Sequence, residues 1–228
     1  MPRKKQSRGT CTFCGKEMTR GGLSKHLRSC PQRQEAIAAT DGGKIGQTQA
    51  IYHLLVQDAY SSDFWLHLEA NGQAKLTDID NYLRAIWLEC CGHMSQFSIG
   101  GWSGREIDMD HNVEAVFMVG TQLTHIYDFG TSSETLLKCV AVRQGKPLTT
   151  HPIYLMARNN MPEAICAECD AKAGWYCMDC LIEQNEWLNL CAAHLDKHNH
   201  NQYGGPMPLI NSPRLGMCGY DGPAEPPY

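Results

Sequence analysis

The spacing of apolar residues changes several times between Ile51 and Asn160, and each change predicts an element. "AIYHLLVQ" and "DFWLHLEA" are short, largely apolar runs that read as strands. "LTDIDNYLRAIWLECCGH" then adopts helical spacing, with Ile79, Tyr82, Leu83, Ile86, Trp87 and Cys90 on one stripe. Thr77 and Asp80 stand where a capping box would start it, with Asp in place of the usual Glu. "QFSIGGW" reads as a short strand, and "NVEAVFMVG" as a short helix ended by Gly120. "LTHIYDFG" and "ETLLKCVAVRQ" read as two strands joined by "TSS", and "PIYLMARN" as a last one. The pattern predicts an α+β domain over residues 51–160, a mixed sheet with packed helices. Residues 34–50 lack apolar periodicity and read as a linker, while residues 203–228 form a Pro/Gly-rich tail.

Charge separates the N-terminus from the rest. Residues 1–33 carry nine of the 20 Lys/Arg and one of the 24 Asp/Glu, so this segment is +8 while the chain as a whole is −4. A polyanion suits the basic end and is repelled by the acidic body. "MPRKKQSRGT" starts charged, but no apolar run follows it and none elsewhere is long enough to span a bilayer, so the cytoplasm is the expected compartment and no membrane partner is expected. In a reducing compartment 12 cysteines point to metal ligation rather than to disulfides, with Zn2+ the expected ion.

Residues 1–33 contain a zinc-finger pattern. Cys11 and Cys14 form a knuckle, and His26 and Cys30 follow one helical turn apart, giving four soft or borderline donors for one tetrahedral ion. The spacing is one residue short of the usual finger, and Cys30 replaces its last His. Met18 and Leu23 fall at the finger's two small-core positions. Aligned on His26, the base-contacting positions would be Thr19, Gly22 and Lys25, and Gly22 has no side chain to reach a base. A single finger spans too few base pairs for a unique site. Non-specific phosphate holding by Lys4, Lys5, Arg8, Lys16, Arg20, Lys25 and Arg28 is the expected form of any nucleic-acid binding. A structural or protein-docking finger is the alternative.

Residues 161–202 hold a denser cluster. Cys166, Cys169, Cys177, Cys180, Cys191, His194, His198 and His200 form four pairs, enough for two zinc ions and three in the whole chain. The short spacer between the first two pairs suits an interleaved order, in which pairs one and three share one ion and pairs two and four the other. That order resembles the B-box type of cross-brace, although His198 and His200 stand closer than its last pair. Cys90, Cys91, Cys139 and Cys218 lie outside both clusters. Cys90 and Cys91, just before His93, are weak candidates for an activated thiol, and core packing is the competing reading.

"HIYDFG" with its flanking segments resembles the signature of the plasmid pRiA4b ORF-3-like family over roughly residues 51–160, although "YDFGTSSET" departs from that signature after Gly130. The chain is more closely similar to an uncharacterised prokaryotic group of that type. The likeness is carried by "LECCGH", "YDFGT", "LMARN", a Cys/His cluster and "NSPRLGMCGY" in the same order. The resemblance implies an α+β core, association with mobile genetic elements in part of the family and no established activity. It also implies that Arg214, Cys218 and Tyr220 fold back on the domain. The functional expectation is a zinc-binding cytoplasmic adaptor or accessory protein, with nucleic acid or a protein as partner. The alternatives are a cysteine-dependent enzyme gathering Cys90, Cys91, His93, His125, Asp128 and Cys218, and zinc modules that serve structure alone. The oligomeric state is not legible in the sequence.

Overall fold

The computed structural model describes residues 6–43 and 46–223. In chain order these form β1 (Arg8–Cys11), β2 (Glu17–Thr19), α1 (Arg20–Ser29), α2 (Pro31–Asp41), β3 (Gln49–Asp58) and β4 (Trp65–Asn71). Next come α3 (Leu76–Leu83), a π-helical turn (Arg84–Leu88), β5 (Ser95–Ile99), β6 (Arg105–Ile107) and α4 (Val113–Val116). β7 (Gln122–Tyr127), β8 (Ser133–Gly145) and β9 (Ile153–Asn159) complete the central region. β10 (Trp175–Cys177), α5 (Met178–Gln184), β11 (Asn189–Leu190), α6 (Ala192–Leu195) and β12 (Pro206–Pro208) follow. A 9-stranded sheet runs β2-β1-β9-β4-β3-β8-β7-β5-β6, and a 3-stranded one runs β11-β10-β12. The class is α+β as expected. The sheet is antiparallel in every ladder rather than mixed, including the pairs β1/β9, β4/β9 and β3/β8 that are far apart in the chain.

β4 shows how the layers are set. Leu66, Leu68 and Ala70 enter the main core with Leu76, Ile79 and Leu83 of α3 and Trp87 of the π turn. The alternate residues face the opposite side, beneath the N-terminal module. There Trp65 packs with Leu23 and Leu27 of α1 and with Met156 and Ala157 of β9. Glu69 accepts Arg33 of α2 at 3.0 Å and Arg143 of β8 at 2.6 Å. β1 pairs directly with β9, Gly9 opposite Asn159 and Cys11 opposite Ala157. The finger is thus a layer on the sheet. The structure also shows where residues 34–50 differ from the expected linker: residues 31–41 are helical, and because the only buried residue of α2 is the charged Arg33, no apolar period announced it. Pro31 at its first turn was the legible signal.

Gly9 is where this docking is closest. A Cβ there would collide with the Trp65 ring and with the carbonyl of Arg158. Gly9→Val is expected to destabilise the chain by about 1–3 kcal/mol or more through overpacking. The check is a lower melting temperature together with faster amide exchange in both β1 and β9.

The start of α3 also differs from expectation. Its N-cap is Lys75, whose N–H donates to Asp78 at 2.8 Å, so Thr77 and Asp80 are not the capping pair. Asp80 is buried instead, accepting from Arg84 at 2.7 Å and lying 2.6 Å from His125 Nε2. The regular helix stops at Leu83, and the π turn carries the stripe on to Leu88, leaving Cys90, Cys91 and His93 in irregular backbone.

Beneath α1, His53 Nε2 and His67 Nδ1 meet at 2.8 Å. Burial pushes His53 down to about 2, helped by the charge His67 would carry, and burial pushes His67 down to about 4. Both are neutral in the folded state, whereas the unfolded chain takes up protons below about pH 6.5. Stability should therefore fall as pH drops from about 6.5 toward 4, by up to ~1.4 kcal/mol per unit for each ring. Melting temperature against pH checks this, and His67→Gln should flatten the slope in that window.

Candidate metal centres

The finger donors come from the end of β1, the knuckle after it and α1. Cys11, Cys14, His26 and Cys30 place one donor atom each within 4.8 Å of all the others, and Cys14 Sγ lies 3.2 Å from His26 Nε2. Thr19 caps α1, accepting the N–H of Gly22 at 3.3 Å, and this fixes the helix that carries His26. Burial pushes the Cys11 thiol up to about 11, so an incoming ion displaces a proton there and binding weakens as pH falls.

The second cluster divides in the interleaved order. Cys166, Cys169, Cys191 and His194 form one set, and Cys177, Cys180, His198 and His200 the other. In the first, His194 Nδ1 stands 3.6, 3.6 and 3.4 Å from the sulfurs of Cys166, Cys169 and Cys191, and Cys169 and Cys191 are 3.8 Å apart. In the second, Cys180 Sγ is 3.4 Å from His198 Nε2 and 3.3 Å from His200 Nδ1. The two histidines present opposite ring nitrogens, which lets residues two apart face one centre. A tetrahedron with zinc–sulfur bonds of about 2.3 Å and zinc–nitrogen bonds of about 2.0–2.1 Å has edges of roughly 3.4–3.8 Å. In all three sets the donor atoms lie within 4.8 Å of one another, and the distances above, 3.2–3.8 Å, are close to those edges, so the three sets could each hold a metal ion. None of the 12 cysteines is in a disulfide.

β10 ties this module together, pairing with β11 on one side and β12 on the other. The segment after β12 then returns to the main domain. Ser212 Oγ donates to the Trp87 carbonyl at 2.7 Å, and Arg158 Nη2 donates to the Asn211 carbonyl at 3.0 Å. Arg214 is fully buried, donating to Asp128 Oδ2 at 2.6 Å, to the Thr131 carbonyl at 2.8 Å and to Ser133 Oγ at 3.0 Å. Its guanidinium lies 4.9 Å from the centre of the Tyr127 ring. Burial opposes charge on Asp128, but Arg214 and the N–H groups of Thr131 and Gly130 outweigh it and hold the carboxyl down at about 2.

Of the residues expected in a thiol pocket, Cys90, His93, Asp128 and Cys218 gather around Arg214. His93 Nε2 is 3.5 Å from Asp128 Oδ2, and both Cys90 and Cys218 lie 3.4 Å from Arg214 Nη2. His125 does not join them; it is fully buried against Asp80. Cys91 is exposed. Arg214, the hub of the group, was visible in the sequence only as part of "NSPRLGMCGY", and nothing in its spacing linked it to Asp128.

Among the expected phosphate contacts, Lys4 and Lys5 lie outside the described residues. Arg8 donates to the Glu17 carbonyl at 2.8 Å, and Arg20 donates to Gln57 at 2.5 Å. Lys16, Lys25 and Arg28 are exposed. Thr19, Arg20, Gly22 and Lys25 border an open groove of about 670 Å³, which Gln6, Ser7 and Ser62 also line. Among the described residues no helix is long and apolar enough to cross a membrane.

No family model matches the chain, and no curated protein does. A protein of unknown function from Methanosarcina mazei Go1 is similar in structure at 13% identity and a TM-score of 0.40, over 48% of this chain and 67% of that one.

Proposed function

We propose that the protein is a cytoplasmic zinc-binding accessory protein in which three structural zinc ions brace a rigid α+β platform, and that the face around α1 holds nucleic-acid phosphates without reading sequence. The observation that carries the zinc reading is the sorting of twelve Cys/His donors into three four-donor sets, each with its donor atoms within 4.8 Å of one another. Four protein ligands leave no position for a reacting water, so these ions serve structure. The nucleic-acid reading is supported by the groove at the N-terminal end of α1, bordered by Arg20 and Lys25 and lying on the basic segment of an otherwise acidic chain. On the motif likeness, the protein is a divergent relative of the ORF-3-like type. A second reading, docking of a protein partner, is favoured by the exposed Trp102 and Phe129, whose rings stack edge-on at 5.3 Å.

Deleting the finger would uncover Trp65, so charge removal is the better test. Salt-titrated binding of fluorescent DNA and RNA should show a steep slope for the native chain. In Lys16→Gln/Lys25→Gln/Arg28→Gln the slope should fall by about 0.9 per lost duplex phosphate contact. An unchanged slope, or no binding at low salt, defeats the nucleic-acid reading and favours the protein partner. Metal content below three ions per chain defeats the zinc reading.

A further inference from the structure

A fourth group of donors stands apart from the three closed sets, where the C-terminal segment meets the loop after the π turn. Cys90, His93 and Cys218 offer one donor atom each, all within 4.8 Å of one another. Several features indicate that the arrangement is built. The chain reaches Cys90 directly from the π turn, an irregularity that recurs at functional sites. Two of the three non-glycine residues with positive φ among the described residues are here, Asp128 at 64° and Cys218 at 50°. Strained backbone of this kind persists only where the surroundings hold it and clusters at functional sites. Arg214, fully buried, aims Nη2 at both sulfurs at 3.4 Å. The Nε2 of His93 is buried and makes no hydrogen bond, with Asp128 Oδ2 3.5 Å away.

We propose that Cys90, His93 and Cys218 bind a fourth divalent transition-metal ion, with zinc the best fit, in a three-ligand site whose remaining coordination position is open. Two thiolates and a neutral imidazole balance a dication, and both thiol protons leave when it binds. Arg214 adds no net charge, because Asp128 neutralises it at 2.6 Å. Its role is that of an outer partner: Asp128 Oδ2 takes one Nη2 hydrogen, and the other is left for the two ligand sulfurs to share, which holds their direction. Two thiolates with one histidine and a free position is a donor set used where a metal binds a reacting ligand, in contrast to the four-donor sets elsewhere in this chain. The open position is within reach of solvent: Cys218 and the neighbouring Cys91 are exposed and His93 is half-buried. It suits water or a small anionic donor.

The test is a metal count by native mass spectrometry on the full chain, unmodified and as Cys218→Asn and His93→Gln. Asn tolerates the positive φ at position 218 while removing the thiol. The native chain is expected to hold one ion more than either variant. After cobalt substitution, azide should change the visible spectrum of the native chain and leave the variants' spectra unchanged. Equal metal counts in all three chains overturn the proposal. So does a native chain with Cys90 and Cys218 joined and two hydrogens lighter. The difference between native and variant chains reports this site, whereas the number retained by the variants reports the closed sets, so the two readings fail separately.

Discussion

If the finger holds zinc as proposed, emptying it should loosen the central sheet as well as the finger. A structural zinc contributes an apparent ~10–16 kcal/mol to a small module of this kind, which has little core of its own. Here part of that core is shared. Leu23 and Leu27 of α1 pack on Trp65, Met156 and Ala157, which belong to β4 and β9. When α1 lifts, those residues meet water and β9 loses its pairing with β1. α2 follows α1 with one residue between them, so Arg33 is drawn away from Glu69, leaving Arg143 as its cationic partner. Cys14→Ser unloads this centre while leaving the ligands of the other two sets in place. The expected result is faster hydrogen exchange in β1, α1, β4 and β9 together, with exchange in β10 and α5 unchanged. Loss of protection confined to residues 8–30 would show that the finger is an appended module after all.

What could be read from the sequence follows from where each signal resides. Ligand pairs are local: Cys11 with Cys14 and His26 with Cys30 announce a centre because a knuckle and a helical turn fix their spacing, and the interleaved order follows from one short spacer. The main strands and α3 were legible for a related reason, since each buries an apolar face. The docking of the finger was not legible, because what seals it is polar or small: Arg33 on Glu69, His67 beneath α1, and a glycine under the Trp65 ring. A polar contact between residues 36 apart leaves no period in the chain. Asp80 shows the same limit. It looks like a capping residue by spacing, yet it ends in a cluster with Arg84, Ser95 and His125, whose members come from α3, the π turn, β5 and β7.

Arg214→Met should be among the most destabilising single substitutions in the chain. The side chain is fully buried and makes its shortest bond, 2.6 Å, to Asp128, itself nearly inaccessible. Removing one partner of such a pair leaves an uncompensated charge and costs about 3–5 kcal/mol, far more than the pair contributes relative to two apolar residues. The same change frees the Thr131 carbonyl and Ser133 Oγ of their donor and releases the segment that Ser212 pins to Trp87. Two further measurements separate the charge from the packing. In Arg214→Met/Asp128→Asn the loss should shrink, because no buried carboxylate remains. In the native chain Asp128 is held at about 2, below its unfolded value near 3.8, so the stability it contributes is present above pH 3.8 and is lost as pH falls toward 2. Arg214→Met should lack that acid-linked loss, since without the guanidinium the carboxyl gains by protonating. The difference in stability between native and variant chains should therefore narrow as the solution is acidified. A gap that stays constant with pH, or a double variant no more stable than the single one, would assign the loss to packing of the C-terminal segment alone.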